Sequence, residues 1–300
     1  MAAREIALKE SNWPAVADYA SVRNDTYPSI NPAEVDMAGK SVLIMGASKG
    51  IGKATAISFA TAGCSKILLA GRSDLAEVET AIYDAAIKAN RPQPVVHSFK
   101  VDVTSEDSVR DAAATATDVL DSSLDVLISN VGYLEEARLL AESEPSEWWK
   151  TWEVNVKGPY LTARFFIPLL LESQTKTVIN VTSGGAHVMF SGMSSYQTTK
   201  FALCRLTEFM NKEYYDQGLI AMALHPGAVK TELSRNVAAE RQHRLTDTPE
   251  LAADTMVWLT RERREWLAGR FVSANWDMGE LEHKKEDVVQ RNLFKFRALV

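Results

Sequence analysis

Cysteine is nearly missing: the 300 residues contain two, Cys64 and Cys204. Two cysteines build neither a disulfide framework nor a zinc site, so no metal is expected and a reducing compartment is the simpler reading. No apolar run approaches the roughly 20 residues of a membrane span. There is no basic excess: the formal net charge is −6, which gives no bulk attraction to nucleic acid. The first residues, Met1 to Glu10, are too charged for a signal peptide. Position 2 is alanine, not the glycine of myristoylation, and Ala298-Leu-Val300 is not a peroxisomal address. A cytoplasmic protein is expected. Asn180-Val-Thr182 matches a glycosylation acceptor, but it falls inside an expected buried strand and reads as chance. There is no internal repeat and no dividing linker. The chain does have 46% apolar and 24% charged residues, as ordinary globular proteins do. A single fold of this length buries about 75% of its unfolded surface.

The pattern along the chain alternates. Ser41-Val-Leu-Ile-Met45 is an apolar run of strand length, followed at once by glycines. Such runs suit strands buried on both faces of a parallel sheet. Further strands are expected at 66–70, 94–101, 124–128, 177–182, 219–224 and 270–274. Helices fill the gaps. One runs through Ala62, and one starts after the N-cap candidates Ser73 and Asp74 and runs to about Lys88. Another starts at Ser105. A long one runs from Pro145 to Leu171 with a kink or break at Pro159 or Pro168. Another carries Tyr196 to about Gln217, and the last spans Pro249–Thr260. The alternation predicts right-handed βαβ units and an α/β, Rossmann-type, doubly wound, mainly parallel seven-stranded sheet with helices on both faces. Residues 1–38 form an extension, with a short helix expected at Trp13–Tyr19 and a turn-rich connector at Tyr27–Pro32. The main domain is 39–280, with a substrate lid near 231–248. A charged helix and tail occupy 281–300. Arg261–Arg264 reads as a solvated helix end.

Gly46-Ala-Ser-Lys-Gly50-Ile-Gly52 follows the first strand and opens a helix. Glycines let backbone approach a pyrophosphate, and the helix N-terminus favours the anion. The candidate contacts are Gly46, Ser48, Lys49, Gly50, Ile51 and Gly52. The second strand ends in Gly71, Arg72 and Ser73. An acidic side chain there would grip a free ribose hydroxyl. Arg72, with Lys49, suits the extra phosphate of NADP(H) instead. Asp74 is placed to reach the ribose as an alternative.

Ser183 closes an apolar strand, and Tyr196 and Lys200 stand four apart in a helix-forming run. That spacing puts both on one helix face. Alone it means no more than a surface pair. After a dinucleotide loop it reads as acid–base chemistry. Bringing a phenol from about 10 to about 7 needs roughly 4 kcal/mol. A cation about 4 Å away supplies on the order of 4 kcal/mol at an effective dielectric constant of about 20. Tyr196 can then act as general acid towards a carbonyl oxygen that Ser183 holds.

With these motifs in order, residues 38–280 resemble the short-chain dehydrogenase/reductase family. The family's T-G-x-x-x-G-x-G appears as Met45 to Gly52, its Asp-Val as Asp102-Val103 and its N-N-A-G as Ser129-Asn-Val-Gly132. The helix asparagine is Asn155, and the serine, tyrosine and lysine are Ser183, Tyr196 and Lys200. Pro226-Gly-Ala-Val-Lys-Thr231 matches the nicotinamide-side motif. The resemblance implies cofactor contacts at Asp102, Val103, Asn130, Gly132, Pro226, Gly227, Val229 and Thr231, and from Tyr196 and Lys200. It implies a catalytic set of Asn155, Ser183, Tyr196 and Lys200, with Lys200 lowering the tyrosine pKa and Asn155 holding a relay water. It implies homodimers or homotetramers through the helices of Asn155 and Tyr196. Met45 and Ser129 depart from the family's threonine and asparagine, and Asn275 to Leu281 departs from its usual C-terminal motif. That arrangement resembles fungal members near secondary metabolism.

Tyr133, His187, Met189, Phe190 and Met193 are candidates for an apolar or aromatic substrate pocket. The expected activity is NADPH-dependent reduction of a ketone or aldehyde, a small-molecule carbonyl or alcohol being the substrate. An alcohol dehydrogenase working oxidatively and a non-catalytic NADPH-binding scaffold are the alternatives.

Overall fold

A computed structural model gives the fold of residues 19–297, apart from the side chain of Glu240. The helix expected at Trp13–Tyr19 lies outside those residues, except for Tyr19. Seven strands form one parallel sheet in the order β3-β2-β1-β4-β5-β6-β7. They are β1 Ser41–Met45, β2 Lys66–Gly71, β3 Val95–Lys100, β4 Val126–Ser129, β5 Thr177–Val181, β6 Ile220–His225 and β7 Phe271–Ser273. This is the doubly wound α/β fold read from the sequence. Strand periodicity divides each apolar run between two cores. Val42 and Ile44 of β1 face one core, while Leu43 and Met45 face the other. The order reverses between β1 and β4, where a doubly wound sheet leaves its crevice.

Helices α1 Gly50–Thr61, α2 Ala76–Lys88 and α3 Glu106–Val119 connect the first strands. Helix α2 starts after Leu75, beyond the expected caps, and Asp74 Oδ1 accepts from Ala76 N at 3.1 Å. Ser105 does cap α3, accepting from Ser108 N. The helical stretch from Pro145 to Leu171 breaks, but not at a proline. Helix α4 is Pro145–Trp152, a π turn follows at Glu153–Lys157, and α5 is Gly158–Leu171. Pro159 sits in the first turn of α5, directly after the π turn. Pro168 is accommodated within α5. The π turn carries Asn155, and such turns are frequent at functional sites. Helix α6, Ser194–Tyr214, follows β5, and α7 is Pro249–Thr260, capped by Thr248. Within 231–248, where a lid is expected, the chain forms two 3-10 turns, Leu233–Asn236 and Ala239–Arg244.

Both ends of the described residues pack on the domain. The arm's Tyr27, Ile30, Val35 and Met37 join one core. Val22 forms an antiparallel bridge with Trp276. The Asp247 carboxylate accepts from Asn24 Nδ2, Ala228 N and Asn275 Nδ2, so one residue ties the arm, the loop after β6 and the C-terminal region. Helices α8 Met278–His283 and α9 Lys285–Gln290 follow. Arg264 is not a solvated helix end. It is buried, stacks over Trp258 at 3.4 Å and pairs with Glu262 and Glu282 at 2.7 and 2.6 Å. The delocalised guanidinium tolerates burial because both faces of its need are met, an aromatic face and two carboxylates.

The tail returns alongside β7, with Phe271 N donating to Phe294 O at 2.9 Å. Phe296 stacks on His187, centroids 4.9 Å apart, and Phe271 meets the same imidazole edge-on at 4.3 Å. His187 Nε2 is buried with no hydrogen-bond partner. Burial pushes His187 and His225 down to about 4. Both therefore stay neutral in the fold down to about pH 4, whereas an unfolded imidazole takes up a proton near pH 6.5. The unfolded chain binds more protons between those values, so stability falls as pH drops from 6.5 to 4. Each contributes on the order of 3 kcal/mol. The variant H187F keeps the aromatic packing and removes the titrating group. It should be as stable as the parent at pH 7 or more so, and should lose roughly half of the acid-induced fall, read by urea unfolding at stepped pH. An unchanged pH slope contradicts this reading.

Candidate active site

The cofactor half of the site is bare backbone at the carboxyl end of β1. Gly46 and Gly50 hold positive φ of 84° and 54°, a region closed to most side chains. Gly46 N and Ala47 N both donate to Ala70 O, which folds the loop against β2. A Cβ at Gly52 would lie 2.1 Å from Gly46 O. Asn130 Nδ2 donates to Gly46 O at 3.0 Å, and Asn130 N to Met45 O. Asn130 thus braces the loop, while the buried hydroxyl of Ser129 makes no hydrogen bond. Thr231 lies against Gly50, its Cγ2 3.2 Å from a Cβ built there. These contacts leave a glycine-floored cradle at a helix N-terminus, which fits a pyrophosphate.

The same cavity, of about 1350 Å³, runs from Arg72 and Ser73 past Asp102, Val103, Asn130 and Gly132 to Ser183, Tyr196 and Lys200. Ser48, Lys49, Ile51, Pro226, Gly227, Val229 and Thr231 also line it. Gly52 lies beneath the loop instead. Arg72 and Ser73 are exposed, and Arg72 makes no hydrogen bond or ion pair among the described residues. Lys49 pairs with Glu232. Asp102 accepts from Thr104 N and Thr104 Oγ1, at 2.9 and 2.8 Å. Those bonds, with Arg72 adding, hold its carboxyl below the usual range.

At the chemical centre, β5 ends at Val181 and Ser183 begins a 3-10 turn, its Oγ accepting from Gly185 N at 3.0 Å. Tyr196 stands in the first turn of α6, partly open to the cavity. Burial by the surrounding protein pushes its phenol up to about 12, a hydrogen bond with Ser183 pulls it back, and the Glu135 carboxylate raises it further. Lys200 is 3% exposed and donates from Nζ to Val181 O at 3.0 Å. Its Nζ lies 5.7 Å from the Tyr196 ring centroid. Burial pushes Lys200 down to about 8. Burial is the largest influence on the phenol, and the Lys200 ammonium is turned to a backbone carbonyl.

Asn155 is fully buried, and its side chain is committed. Oδ1 accepts from Tyr133 N at 2.8 Å, while Nδ2 donates to Tyr133 O at 2.8 Å and Thr199 Oγ1 at 3.1 Å. It pins the strand-end segment of Tyr133 to α6. A Cβ at Gly132 would lie 3.8 Å from Lys200 Nζ and 3.9 Å from Asn155 Oδ1, so the two polar groups share one glycine-sized approach.

Of the expected pocket residues, Phe190 and Met193 line the cavity. Tyr133, His187 and Met189 do not. The Tyr133 phenol turns to α4, where it donates to Glu147 and lies under Lys150. His187 is packed beneath the tail, and Met189 is 86% exposed. Sequence reasoning missed three groups. Glu135 is buried and accepts from Tyr196 N at 3.0 Å and Thr151 Oγ1 at 2.9 Å, anchoring the first turn of α6. His225 lines the cavity, its Nδ1 accepting from Gly184 N at 3.0 Å. Arg235, Arg241 and Arg244 reach the same cavity from the lid. Only the lid's own arginine content hinted at these, and nothing in it gives their direction.

The family model described as short chain dehydrogenase matches residues 40–242. Short chain dehydrogenase citE of Monascus ruber is 47% identical over 281 residues, spanning 94% of this chain and 96% of that protein. Short chain dehydrogenase pigC of Monascus ruber is 39% identical, spanning 93% of each. Among solved structures, a 7 alpha-hydroxysteroid dehydrogenase complexed with NADH and 7-oxo glycochenodeoxycholic acid aligns with a TM-score of 0.70 at 22% identity, covering 83% of this chain and 97% of that one. ElxO with NADP bound aligns with a TM-score of 0.68 at 24% identity, covering 81% and 99%. These structures share the fold, and the sequence matches carry the kinship. The chain belongs to the short-chain dehydrogenase/reductase family.

Proposed function

We propose that the chain reduces a ketone or aldehyde with NADPH, Tyr196 acting as general acid. The observation that carries this is the single cavity on which a protonated phenol, Ser183, Lys200 and the glycine cradle all open. A phenol pushed up to about 12 holds its proton at neutral pH, the state a donor to a carbonyl oxygen needs. Ser183 holds that oxygen as charge develops on it. Once Tyr196 has given up its proton, Lys200 stands one helical turn away to stabilise the phenolate. Asn155 and Glu135 act as positioning residues, fixing Tyr133 and the first turn of α6.

Gly46, Ser48, Lys49, Gly50, Ile51 and Gly52 would hold or shape the pyrophosphate site. Asp102 and Val103 would hold the adenine end, and Asn130, Gly132, Pro226, Gly227, Val229, Thr231 and Lys200 the nicotinamide half. When bound, the nicotinamide supplies the hydride to the carbonyl carbon. The NADP preference rests on Arg72. Lys49 is already paired with Glu232, and Asp74 is engaged by Ala76 N. That leaves Arg72 as the unpaired cation beside the site of a ribose phosphate. Exposed Trp149, Tyr160, Phe201 and Phe209 on α4, α5 and α6 support pairing of copies through those helices.

Tyr196→Phe should lower turnover of carbonyl substrates by about 10²-fold or more and leave NADPH binding within a few-fold, read by steady-state assay and fluorescence titration. Full turnover in this variant sinks the mechanism. Arg72→Ala should weaken NADPH by about 10- to 150-fold, the worth of a charge-assisted hydrogen bond, with NADH little changed. Equal losses for both cofactors show that Arg72 does not read the phosphate.

A further inference from the structure

The substrate end of the cavity is not electrically neutral. The carboxylates on its wall are Asp102, at the adenine end, and Glu232, paired with Lys49. Facing them from the lid are Arg235, Arg241 and Arg244, none of which has a carboxylate within ion-pair distance among the described residues. Arg241 is the best fixed of the three. Its guanidinium carbon lies 4.1 Å from the centroid of the Phe190 ring. Phe190 is itself held to α6, since its N–H donates to Gln197 Oε1 at 2.7 Å, one residue beyond Tyr196. The lid around Arg241 is tied down. Gln242 Nε2 donates to Ser234 O and Val237 O, both at 2.8 Å, and Asn236 Nδ2 donates to Leu134 O at 2.8 Å.

These contacts put the Arg241 cation on the cavity wall beside Phe190, which is itself tied to the residue after Tyr196. The apolar neighbours sharing that wall are Phe190, Met193, Val188, Leu134 and Val237. A cation over an aromatic face keeps its in-plane N–H donors free. A planar fork of donors matches a carboxylate bidentately.

We infer that Arg241 is a specificity residue that selects carbonyl substrates bearing a carboxylate on an apolar body. The inference rests on the reductase reading for the carbonyl. The anion site rests on the lid geometry alone. Phe190 and Met193 take the body, Tyr196 and Ser183 take the carbonyl oxygen, and Arg241 takes the acid.

The test pairs 3- and 4-acetylbenzoate with their methyl esters, which keep shape and lose the charge. Two readouts are taken on the parent and on Arg241→Met, which keeps the stem and removes the fork. The first is kcat/KM for each ketone with NADPH. The second is calorimetric binding of acid and ester to the protein saturated with oxidised NADP, which needs no turnover. In the parent the acids should exceed the esters at least tenfold in both readouts, through KM in the first. Arg241→Met should erase that ratio, and added salt should shrink it in the parent. If the acids bind preferentially through Arg241 while no ketone is reduced, the anion site stands and the reductase reading falls. If ketones are reduced with equal acid and ester ratios in parent and variant, the reductase reading stands and this inference falls. A variant that loses NADPH affinity together with acid affinity assigns Arg241 to the cofactor and also overturns it.

Discussion

Desolvation of one phenol and one ammonium sets the terms for the rest of this fold. Lys200 is buried and Tyr196 is partly open to the cavity, and burial by the surrounding protein drives each towards its neutral form, the phenol to about 12 and the lysine to about 8. A buried ammonium is tolerable only with acceptors at hand. The parallel sheet provides one, because Val181 is the last residue of β5 and turns its carbonyl to Lys200. The first turn of α6 is fixed by Glu135 from one side and by Ser195 Oγ donating to Trp148 O at 2.7 Å from another. Asn155, in the π turn, bonds both backbone groups of Tyr133 and Thr199, which links β4's exit to α6.

A second junction supports this centre from outside. Asp247 binds the arm, the loop after β6 and the residue after β7's turn. A Cβ at Gly227 would lie 2.7 Å from Asp247 Oδ2, so the proline–glycine loop is bare where the carboxylate approaches it. The arm, through Asn24 and Asp247, is tied to the loop after β6, and the tail's Phe296 packs on His187, in the segment leading from Ser183 to Phe190.

The strands were legible because buried parallel strands are written as short continuous apolar runs, and Ser41–Met45 and Ile220–His225 have no other plausible use. The glycine loop and the Ser183, Tyr196 and Lys200 spacing were legible because their chemistry demands fixed residue types at fixed offsets. What failed to show was direction. Tyr133 and His187 stand near the site in the chain, but a side chain at a strand exit can turn either way. Glu147 with Lys150 draws the first away, and the returning tail captures the second. Two prolines in one helical stretch drew attention to a kink, whereas the break follows the buried amide of Asn155. The lid arginines stand in a polar segment without periodicity, so only the folded lid separates Arg241 from solvated charge.

Burial raises the pKa of the Tyr196 phenol in the protein alone, and on the proposed function the charge of a bound oxidised cofactor acts with Lys200 to lower it. Labelling the chain with [ζ-¹³C]tyrosine, assigning the signal with Tyr196→Phe and titrating by NMR tests it without any turnover. The expected Tyr196 signal does not titrate below pH 10 in the protein alone, in line with a value of about 12, and its pKa moves down by more than about one unit, or about 1.4 kcal/mol, when oxidised NADP is bound. A signal that already titrates near neutrality in the protein alone, or one that oxidised NADP leaves unmoved, would contradict it.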